Sequence, residues 1–220
     1  MWECWGMAEV LFVCTGNRCR SPSAALLLGQ QLSDAGREGV TVRSAGTVGA
    51  DVGPPRLLVQ EGRAFGVDLG AHVTRAVDPG MIESADLVVG LTREHVRQTV
   101  LAVPPSFPRT FTLREIVRRG LHTGPRGAAE DLGAWLARLH DGRLRADLMS
   151  ESPDDDVMDP MGGTPDDYRR MLTEVSALTQ TLRDLAWPCA KPPAAGHGGA
   201  AKRIRRAHRD GLPAAGRRSG

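Results

Sequence analysis

Cys14 and Arg20 are separated by five residues in the stretch VLFVCTGNRCRSPSAALLL, which covers residues 10–28. An ionised cysteine is a strong nucleophile, and the planar guanidinium of arginine matches two oxygens of a phosphate group. Between these two residues, Gly16 and Asn17 tolerate the left-handed backbone that turns successive N–H groups inwards. The pattern predicts a loop that holds a phosphate-shaped dianion against a cysteine nucleophile.

A strand before this loop and a helix after it must position the two groups. EVLFVC (residues 9–14) is typical of a strand that is buried on both faces. SPSAALLLGQQL (residues 21–32) predicts a helix with Ser21 as its N-cap and Pro22 at its first position. The N–H groups of the first turn and the helix dipole then add to the anion site and stabilise a thiolate at Cys14. A structural cysteine beside a helix cap is the alternative, which the combined Gly-Asn and Arg-Ser-Pro context disfavours.

The rest of the chain alternates between short apolar runs and helical patterns. Further strands are predicted at VTVRSAG, ADLVVGLT and RTFTL. Helices are predicted at PRLLVQEGRAFG, residues 93–100, REIVRRG, AAEDLGAWLARLH and PDDYRRMLTEVSALTQTLRDLAW. This alternation predicts an α/β fold: a three-layer, doubly wound sheet of about four parallel strands with helices on both faces. The phosphate loop follows strand 1, and ligands bind such sheets at the carboxyl ends of their strands.

The composition excludes several classes of protein. No run of about 18 apolar residues predicts a membrane helix. The N-terminus has no basic region and no small-residue cleavage site, so we predict no signal peptide, and Met7 is as good a start as Met1. Four cysteines occur, at Cys4, Cys14, Cys19 and Cys189. Their spacing fits neither a disulfide framework nor a zinc site, and we expect a reducing, cytoplasmic location.

The charge is distributed unevenly along the 220 residues. Eight Lys or Arg and one Asp give the segment 188–220 a charge of +7, so residues 1–187 carry −5 of the net +2. The segment is rich in Ala, Gly, Pro and Arg and cannot bury enough apolar surface to fold alone. We therefore predict one folded domain, 1–187, and a basic disordered tail, 188–220. An anchor for nucleic acid or an acidic surface is the less favoured interpretation of this tail.

Several stretches together resemble the low-molecular-weight protein tyrosine phosphatase family, bacterial type. VLFVCTGNRCRSP is similar to its phosphate loop, and RSAGT (residues 43–47) to its segment after strand 2. MIESADLVVGLTREH resembles its third strand, and DVMDPMGGTPDDY its acid loop. The resemblance extends roughly over residues 10–185, with a segment near 120–154 that is longer than usual.

The resemblance implies a role for each matching residue. Cys14 attacks phosphorus and becomes a phosphocysteine, while Arg20 and the loop N–H groups stabilise the equatorial oxygens. Asp159 protonates the leaving oxygen and then activates water, and Ser21 donates a hydrogen bond to the thiolate. Asp159 competes with the neighbouring run Asp154, Asp155 and Asp156, which is typical of a solvated acidic loop; the Asp-Pro step favours Asp159.

Further loop and supporting residues also follow from the resemblance. Asn17, Ser44 and His72 form the network that holds the loop. The phosphate is bound by the loop residues Thr15, Gly16, Asn17, Arg18, Cys19 and Ser21. Cys19 forms a reversible disulfide with Cys14 that protects the nucleophile from over-oxidation. The implied reaction uses no cofactor and no metal, and its partner is a phosphorylated protein.

The sequence departs from the tyrosine-specific pattern at the pocket wall. Met161, Gly162 and Ala50 stand where aromatic side chains are expected, and DPMGG and FTLREIV are closer to relatives that act on phosphoarginine. Arg18 at the pocket rim opposes a cationic leaving group. The prediction is a phosphotyrosine phosphatase, with phosphoarginine as the alternative substrate. An arsenate reductase would need further cysteines after the loop, and a non-catalytic phosphopeptide-binding module would normally lack one of the three catalytic groups.

Overall fold

The computed structural model describes residues 7–49, 52–150 and 152–188. Its sheet has four parallel strands in the order β2-β1-β3-β4. The strands are β1 (Ala8–Cys14), β2 (Val40–Gly46), β3 (Leu87–Gly90) and β4 (Thr110–Thr112). The α-helices are α1 (Arg20–Asp34), α2 (Arg56–Ala64), α3 (Pro79–Ser84), α4 (Arg93–Ala102), α5 (Leu113–Thr123), α6 (Leu132–His140) and α7 (Pro165–Ala186). The predicted α/β sheet of parallel strands is confirmed.

Both faces of the sheet are covered, as the continuous apolar strands require. On the central strand β1, Val10 and Phe12 pack into a large core with residues of α1, α2, α5, α6 and α7. The alternate residues Leu11 and Val13 pack on the opposite face with Ile82 of α3. All four of these β1 side chains are completely buried. The carboxyl end of β1 therefore emerges between two packed layers, where Cys14 is held rigidly.

The start of α1 differs from the prediction. The helix begins at Arg20 with Cys19 in the cap position, and no side chain caps it. Ser21 is not the N-cap, because its hydroxyl is bonded to groups of the phosphate loop and to the Ala45 carbonyl. Other helices have ordinary caps: Asp78, Thr92, Thr112 and Asp131 each accept a main-chain N–H of the first turn.

The structure shortens one predicted helix and adds three short 3₁₀ turns to the predicted elements. Helix α6 begins at Leu132 rather than near residue 128, and its four apolar residues Leu132, Trp135, Leu136 and Leu139 are buried as predicted. Short 3₁₀ turns follow at Arg145–Met149 and Pro153–Asp155, and another, Pro104–Arg109, precedes β4.

No helix in the described ranges is long and apolar enough to cross a membrane. The predicted tail lies outside the described residues from position 189 onwards, as do Cys4, Ala50 and Cys189. Trp187, the last residue of the predicted domain, is 1% exposed.

Candidate active site

The phosphate loop begins where β1 ends and leads directly into α1. Cys14 is paired in register with Gly46 of β2, and its carbonyl accepts a hydrogen bond from Thr47. Asn17 has a φ of 52°, so it adopts the left-handed conformation predicted for the loop. Gly16 does not adopt it. One left-handed residue, which Asn accepts at little cost, is enough to reverse the chain towards α1.

Asn17 is completely buried, and its hydrogen bonds explain why the loop keeps this shape. Its Nδ2 donates to Ser44 Oγ at 2.9 Å and to Ser21 Oγ at 3.0 Å. Its Oδ1 accepts from the Arg75 main-chain N–H at 3.0 Å, and its carbonyl oxygen lies 2.7 Å from His72 Nε2. The structure therefore brings Asn17, Ser44 and His72 together in one network around the loop.

Gly46 allows the loop to lie directly against the end of β2. A Cβ atom at this position would lie 2.6 Å from the Thr15 carbonyl oxygen and 2.8 Å from the Asn17 nitrogen. Both contacts are with main-chain atoms, which cannot move aside without displacing the loop. The close approach of two backbones is the reason for a glycine here, and the sequence pattern alone did not reveal it.

Ser21 connects this network to Cys14, the predicted nucleophile. Its Oγ lies 3.0 Å from Cys14 Sγ and 3.2 Å from the Ala45 carbonyl oxygen. The hydroxyl accepts a hydrogen bond from Asn17 Nδ2 and has one proton, which it donates to the Ala45 carbonyl or, when Cys14 is ionised, to the sulfur. Cys14 itself is 3% exposed and lies at the bottom of the loop.

Arg20 and Asp159 meet above the loop, although they are far apart in sequence. Arg20 Nη2 donates to Asp159 Oδ2 at 2.7 Å, and Arg20 Nη1 donates to the Val157 carbonyl at 3.4 Å. The Arg20 side chain is only 7% exposed, whereas that of Asp159 is 45% exposed. A buried guanidinium beside an accessible carboxylate gives the site one fixed anion-binding group and one group able to reach solvent and substrate.

The acidic run before Asp159 is not a solvated loop. Asp155 is 1% exposed, and it forms ion pairs with Arg93 at 2.6 Å and with Arg118 at 2.5 Å. Burial opposes its ionisation, but the two guanidinium groups outweigh burial and lower the pKa of Asp155. Asp156 accepts the Arg93 main-chain N–H at 2.7 Å, and only Asp154 is exposed. These contacts anchor the segment that carries Asp159.

The comparisons with known proteins agree with this geometry. A family model described as low molecular weight phosphotyrosine protein phosphatase matches residues 9–121. The protein-arginine-phosphatase of Bacillus subtilis (strain 168) is 31% identical over 176 residues, which are 79% of this chain and 93% of that protein. The chain belongs to the low-molecular-weight phosphotyrosine protein phosphatase family.

Other members of this family are similar to this chain in sequence and in structure. Low molecular weight protein-tyrosine phosphatase A of Mycobacterium tuberculosis is 45% identical over 95 residues, 40% of this chain and 55% of that protein. A crystal structure of a YwlE mutant from Bacillus subtilis matches with a TM-score of 0.60 and 27% identity, covering 80% of this chain and 95% of that one. The low molecular weight protein tyrosine phosphatase from T. tengcongensis matches with a TM-score of 0.61 and 25% identity, covering 80% and 98% of the two chains.

The Arg18 side chain has a main-chain partner. Its Nε donates to the Gly53 carbonyl at 3.1 Å, and the residue is half-buried. The side chain therefore does not extend freely into water. Met161 is 42% exposed and donates its main-chain N–H to Asp159 Oδ1 at 3.1 Å.

Cys19 lies beneath the loop and is 3% exposed. Burial raises the pKa of its thiol, and the negative charges of Asp159 and Cys14 add to this effect, while Arg20 and Arg18 oppose it. Cys14 and Cys19 are both free thiols. The disulfide between them therefore stays a prediction.

His95 is a site residue that the sequence analysis missed. It is 3% exposed, and its Nε2 lies 3.0 Å from the hydroxyl of Thr15, the first loop residue after the nucleophile. The residue belongs to the stretch LTREH, but no spacing in that stretch indicates contact with a loop 80 positions earlier. Among the described residues, no group of three or more His, Cys, Asp or Glu side chains is arranged to hold a metal ion.

Proposed function

We propose that this phosphatase hydrolyses phosphotyrosine in proteins through a phosphocysteine intermediate at Cys14. The observation that carries the proposal is the meeting of the loop that holds Cys14 and Arg20 with Asp159, which lies 139 positions after Arg20. Cys14 lies at the bottom of the loop, and Arg20, at the start of α1, is paired with Asp159 at 2.7 Å. Such a set provides a nucleophile, an anion-binding group and an acid on one side of the sheet.

In the first step, the Cys14 thiolate attacks phosphorus and forms the S–P bond while the bond from phosphorus to the tyrosine oxygen breaks. Protonated Asp159 gives its proton to that oxygen, so neutral tyrosine leaves. Arg20 turns from Asp159 to two equatorial oxygens of the phosphoryl group, which the loop N–H groups also bind. Ser21 donates a hydrogen bond to the Cys14 thiolate before the attack and so stabilises its charge. A mechanism that needs a reduced thiol is best supported by a reducing compartment, so we propose a cytoplasmic location.

In the second step, water attacks the phosphocysteine. The Asp159 carboxylate takes a proton from the water as the new P–O bond forms, and the S–P bond breaks. The products are inorganic phosphate, the Cys14 thiolate and Asp159 protonated for the next cycle. The presence of nucleophile, arginine and acid together supports catalysis over simple phosphopeptide binding.

Arg18 supports phosphotyrosine as the substrate. A guanidinium held at the rim by the Gly53 carbonyl adds positive charge beside Arg20. That charge attracts a phosphopeptide with acidic flanking residues and disfavours phosphoarginine, whose leaving group is itself a guanidinium.

Phosphoarginine is the second candidate substrate, because two observations favour it. The relative from Bacillus subtilis (strain 168), which is aligned with this chain over 93% of its length, is a protein-arginine-phosphatase. In addition, Met161 and Gly162 follow the Asp-Pro step, where an aromatic wall would stack on a phosphotyrosine ring.

The test is kcat/KM on matched phosphotyrosine and phosphoarginine peptides, for the wild type and Arg18→Thr. We expect the wild type to prefer phosphotyrosine, and the substitution to shift the ratio towards phosphoarginine about tenfold, or roughly 1.4 kcal/mol. A strong wild-type preference for phosphoarginine that does not change on substitution would contradict the substrate assignment. Cys14→Ser is expected to abolish turnover of either peptide, and substantial residual turnover would contradict the role of Cys14.

The predicted pairing of Cys19 with Cys14 is tested by oxidation. We propose that mild peroxide inactivates the wild type reversibly, whereas Cys19→Ser is inactivated irreversibly because no neighbouring thiol traps the sulfenic acid. Recovery of activity after reduction with dithiothreitol is the measurement. Equal recovery of both proteins would contradict the pairing.

A further inference from the structure

The turn between β3 and α4 contacts both parts of the catalytic machinery. Leu91 donates its N–H to the Val13 carbonyl at 3.0 Å, next to the nucleophile, and accepts the N–H of Val157 at 2.9 Å. Arg93 donates its N–H to Asp156 Oδ1 at 2.7 Å. The same short segment therefore supports the end of β1 and the residues that precede Asp159.

His95 extends this support to the phosphate loop. Both of its ring nitrogens have partners: Nε2 lies 3.0 Å from Thr15 Oγ1, and Nδ1 lies 2.8 Å from Thr92 Oγ1. Burial lowers the pKa of His95 to about 3, and the charge of nearby Arg20 contributes. The ring is therefore neutral near pH 7, with one N–H to donate and one lone pair to accept.

The contacts of Thr92 indicate which nitrogen carries the proton. Thr92 Oγ1 caps α4 by accepting the main-chain N–H of His95 at 3.4 Å. Within the described part of the chain, Nδ1 is the acceptor that the structure offers for the Thr92 proton, which favours the tautomer with the lone pair on Nδ1. In that tautomer the proton is on Nε2, and Nε2 donates to Thr15 Oγ1.

We propose that His95 is a positioning residue of the phosphate loop, which as the Nε2–H tautomer donates to the Thr15 hydroxyl and fixes the first residue after the nucleophile. The proposal rests on the proposed function and deepens it. Thr15 is held on its other side by the segment after β2, because its carbonyl accepts the N–H of Val48 at 2.8 Å. Thr15 is exposed, so no packing of its side chain would fix it in the absence of these two bonds.

The consequence is preorganisation of the loop. Loop N–H groups bind a dianion best when they already point inwards before it arrives, since no free energy is then lost in ordering them. Asn17 fixes the middle of the loop, and the bond from His95 to Thr15 fixes its start. Loss of this bond should weaken the binding of inorganic phosphate about tenfold, the effect of one net hydrogen bond.

A double-mutant cycle tests the proposal with Thr15→Val, which keeps the shape and removes the hydroxyl, and His95→Leu. Calorimetry at pH 7 measures the Kd of inorganic phosphate for each single variant and for the double variant. We expect each single variant to lose about tenfold and the double variant no more than either, because both remove the same bond. Thr15→Ser should restore most of the affinity that Thr15→Val loses. Additive losses, or no loss in Thr15→Val, would overturn the proposal.

The ring nitrogen that carries the proton is a second quantity to measure, and a histidine that only fills space would not require the proton on Nε2. Long-range ¹H–¹⁵N NMR of the wild type at pH 7 should show His95 neutral and protonated at Nε2; protonation at Nδ1 would overturn the proposal. This measurement needs no variant, so it decides the matter even if His95→Leu fails to fold.

Controls separate this proposal from the proposed function. Thr41→Val, the same substitution at an exposed position of β2, is expected to leave phosphate affinity unchanged. Turnover of p-nitrophenyl phosphate by the wild type tests the proposed function separately. An inactive wild type with the expected tautomer and coupling would contradict the function and leave the positioning role intact.

Discussion

Asp159→Asn should separate substrate binding from catalysis in this phosphatase. In the structure, Arg20 Nη2 donates to Asp159 Oδ2 at 2.7 Å, so a phosphate dianion must displace the carboxylate before it can use both guanidinium nitrogens. The substitution keeps the size of the side chain and removes its charge. It therefore frees Arg20 for the dianion but removes the general acid.

The magnitude of the binding effect follows from the exposure of the pair. Because the Asp159 side chain is 45% exposed, the ion pair is worth about 1 kcal/mol at most. Its loss should tighten phosphate binding by up to about fivefold. Turnover should change in the opposite direction: kcat on a phosphotyrosine peptide should fall about 10²–10⁴-fold, the usual contribution of a general acid. The loss should be smaller on p-nitrophenyl phosphate, whose leaving group needs little protonation.

The assay combines calorimetric titration with inorganic phosphate and steady-state kinetics on both substrates at one pH. Asp154→Asn is the matched control, since Asp154 is exposed and forms no contact with Arg20. Unchanged or weaker phosphate binding by Asp159→Asn would refute the competition between carboxylate and dianion. A larger loss of kcat in the control would refute the assignment of the acid.

Three further predictions follow from single contacts. Gly46→Ala should lower kcat/KM roughly a hundredfold, because its Cβ would lie 2.6 Å from a carbonyl oxygen of the phosphate loop and displace the loop; steady-state kinetics measure this. Asp155→Asn should lower the free energy of unfolding by about 3 kcal/mol in urea titrations, since it leaves two arginines beside a buried position without a charged partner. Between pH 7 and pH 5, the free energy of unfolding of the wild type should fall by up to about 1.4 kcal/mol per pH unit more than that of His95→Leu in urea titrations. The reason is that the pKa of His95 is about 3 in the folded protein and 6.5 in the unfolded chain.

Each of these predictions has a control and a contradicting outcome. Gly49→Ala places its Cβ in ordinary contact, 3.4 Å from another Cβ, and should have little effect on activity; equal losses in both glycine variants would rule out the steric explanation. A stability loss in Asp154→Asn as large as that in Asp155→Asn would show that burial of the ion pairs is unimportant. The pH effect has a definite sign: below pH 6.5 the unfolded chain takes up a proton at His95 that the folded chain does not, so stability must fall as the pH falls. Identical pH dependence in wild type and His95→Leu would contradict the low pKa.

The local sequence of this protein determined its elements and the nucleophile. Strand β1, helix α1 and the loop between them were predictable because a continuous apolar run, a Gly-Asn pair and an Arg-Ser-Pro step act over neighbouring residues. The left-handed Asn17 follows from the same local chemistry, since Asn accepts this conformation at little cost. For the same reason, the order of strands and helices was sufficient to predict a parallel sheet.

Only the tertiary structure decided which side chains share the site. The hydroxyl of Ser21 suits a helix cap in the sequence, but it bonds to Cys14, to Asn17 and to the Ala45 carbonyl, and only the packing of β1 against β2 brings Ala45 within reach. Asp155 has the sequence context of a surface carboxylate, and it is buried because Arg93 and Arg118, more than 30 positions earlier, converge on it. Contacts of this kind depend on where the sheet places distant segments, and patterns of neighbouring residues do not predict that placement.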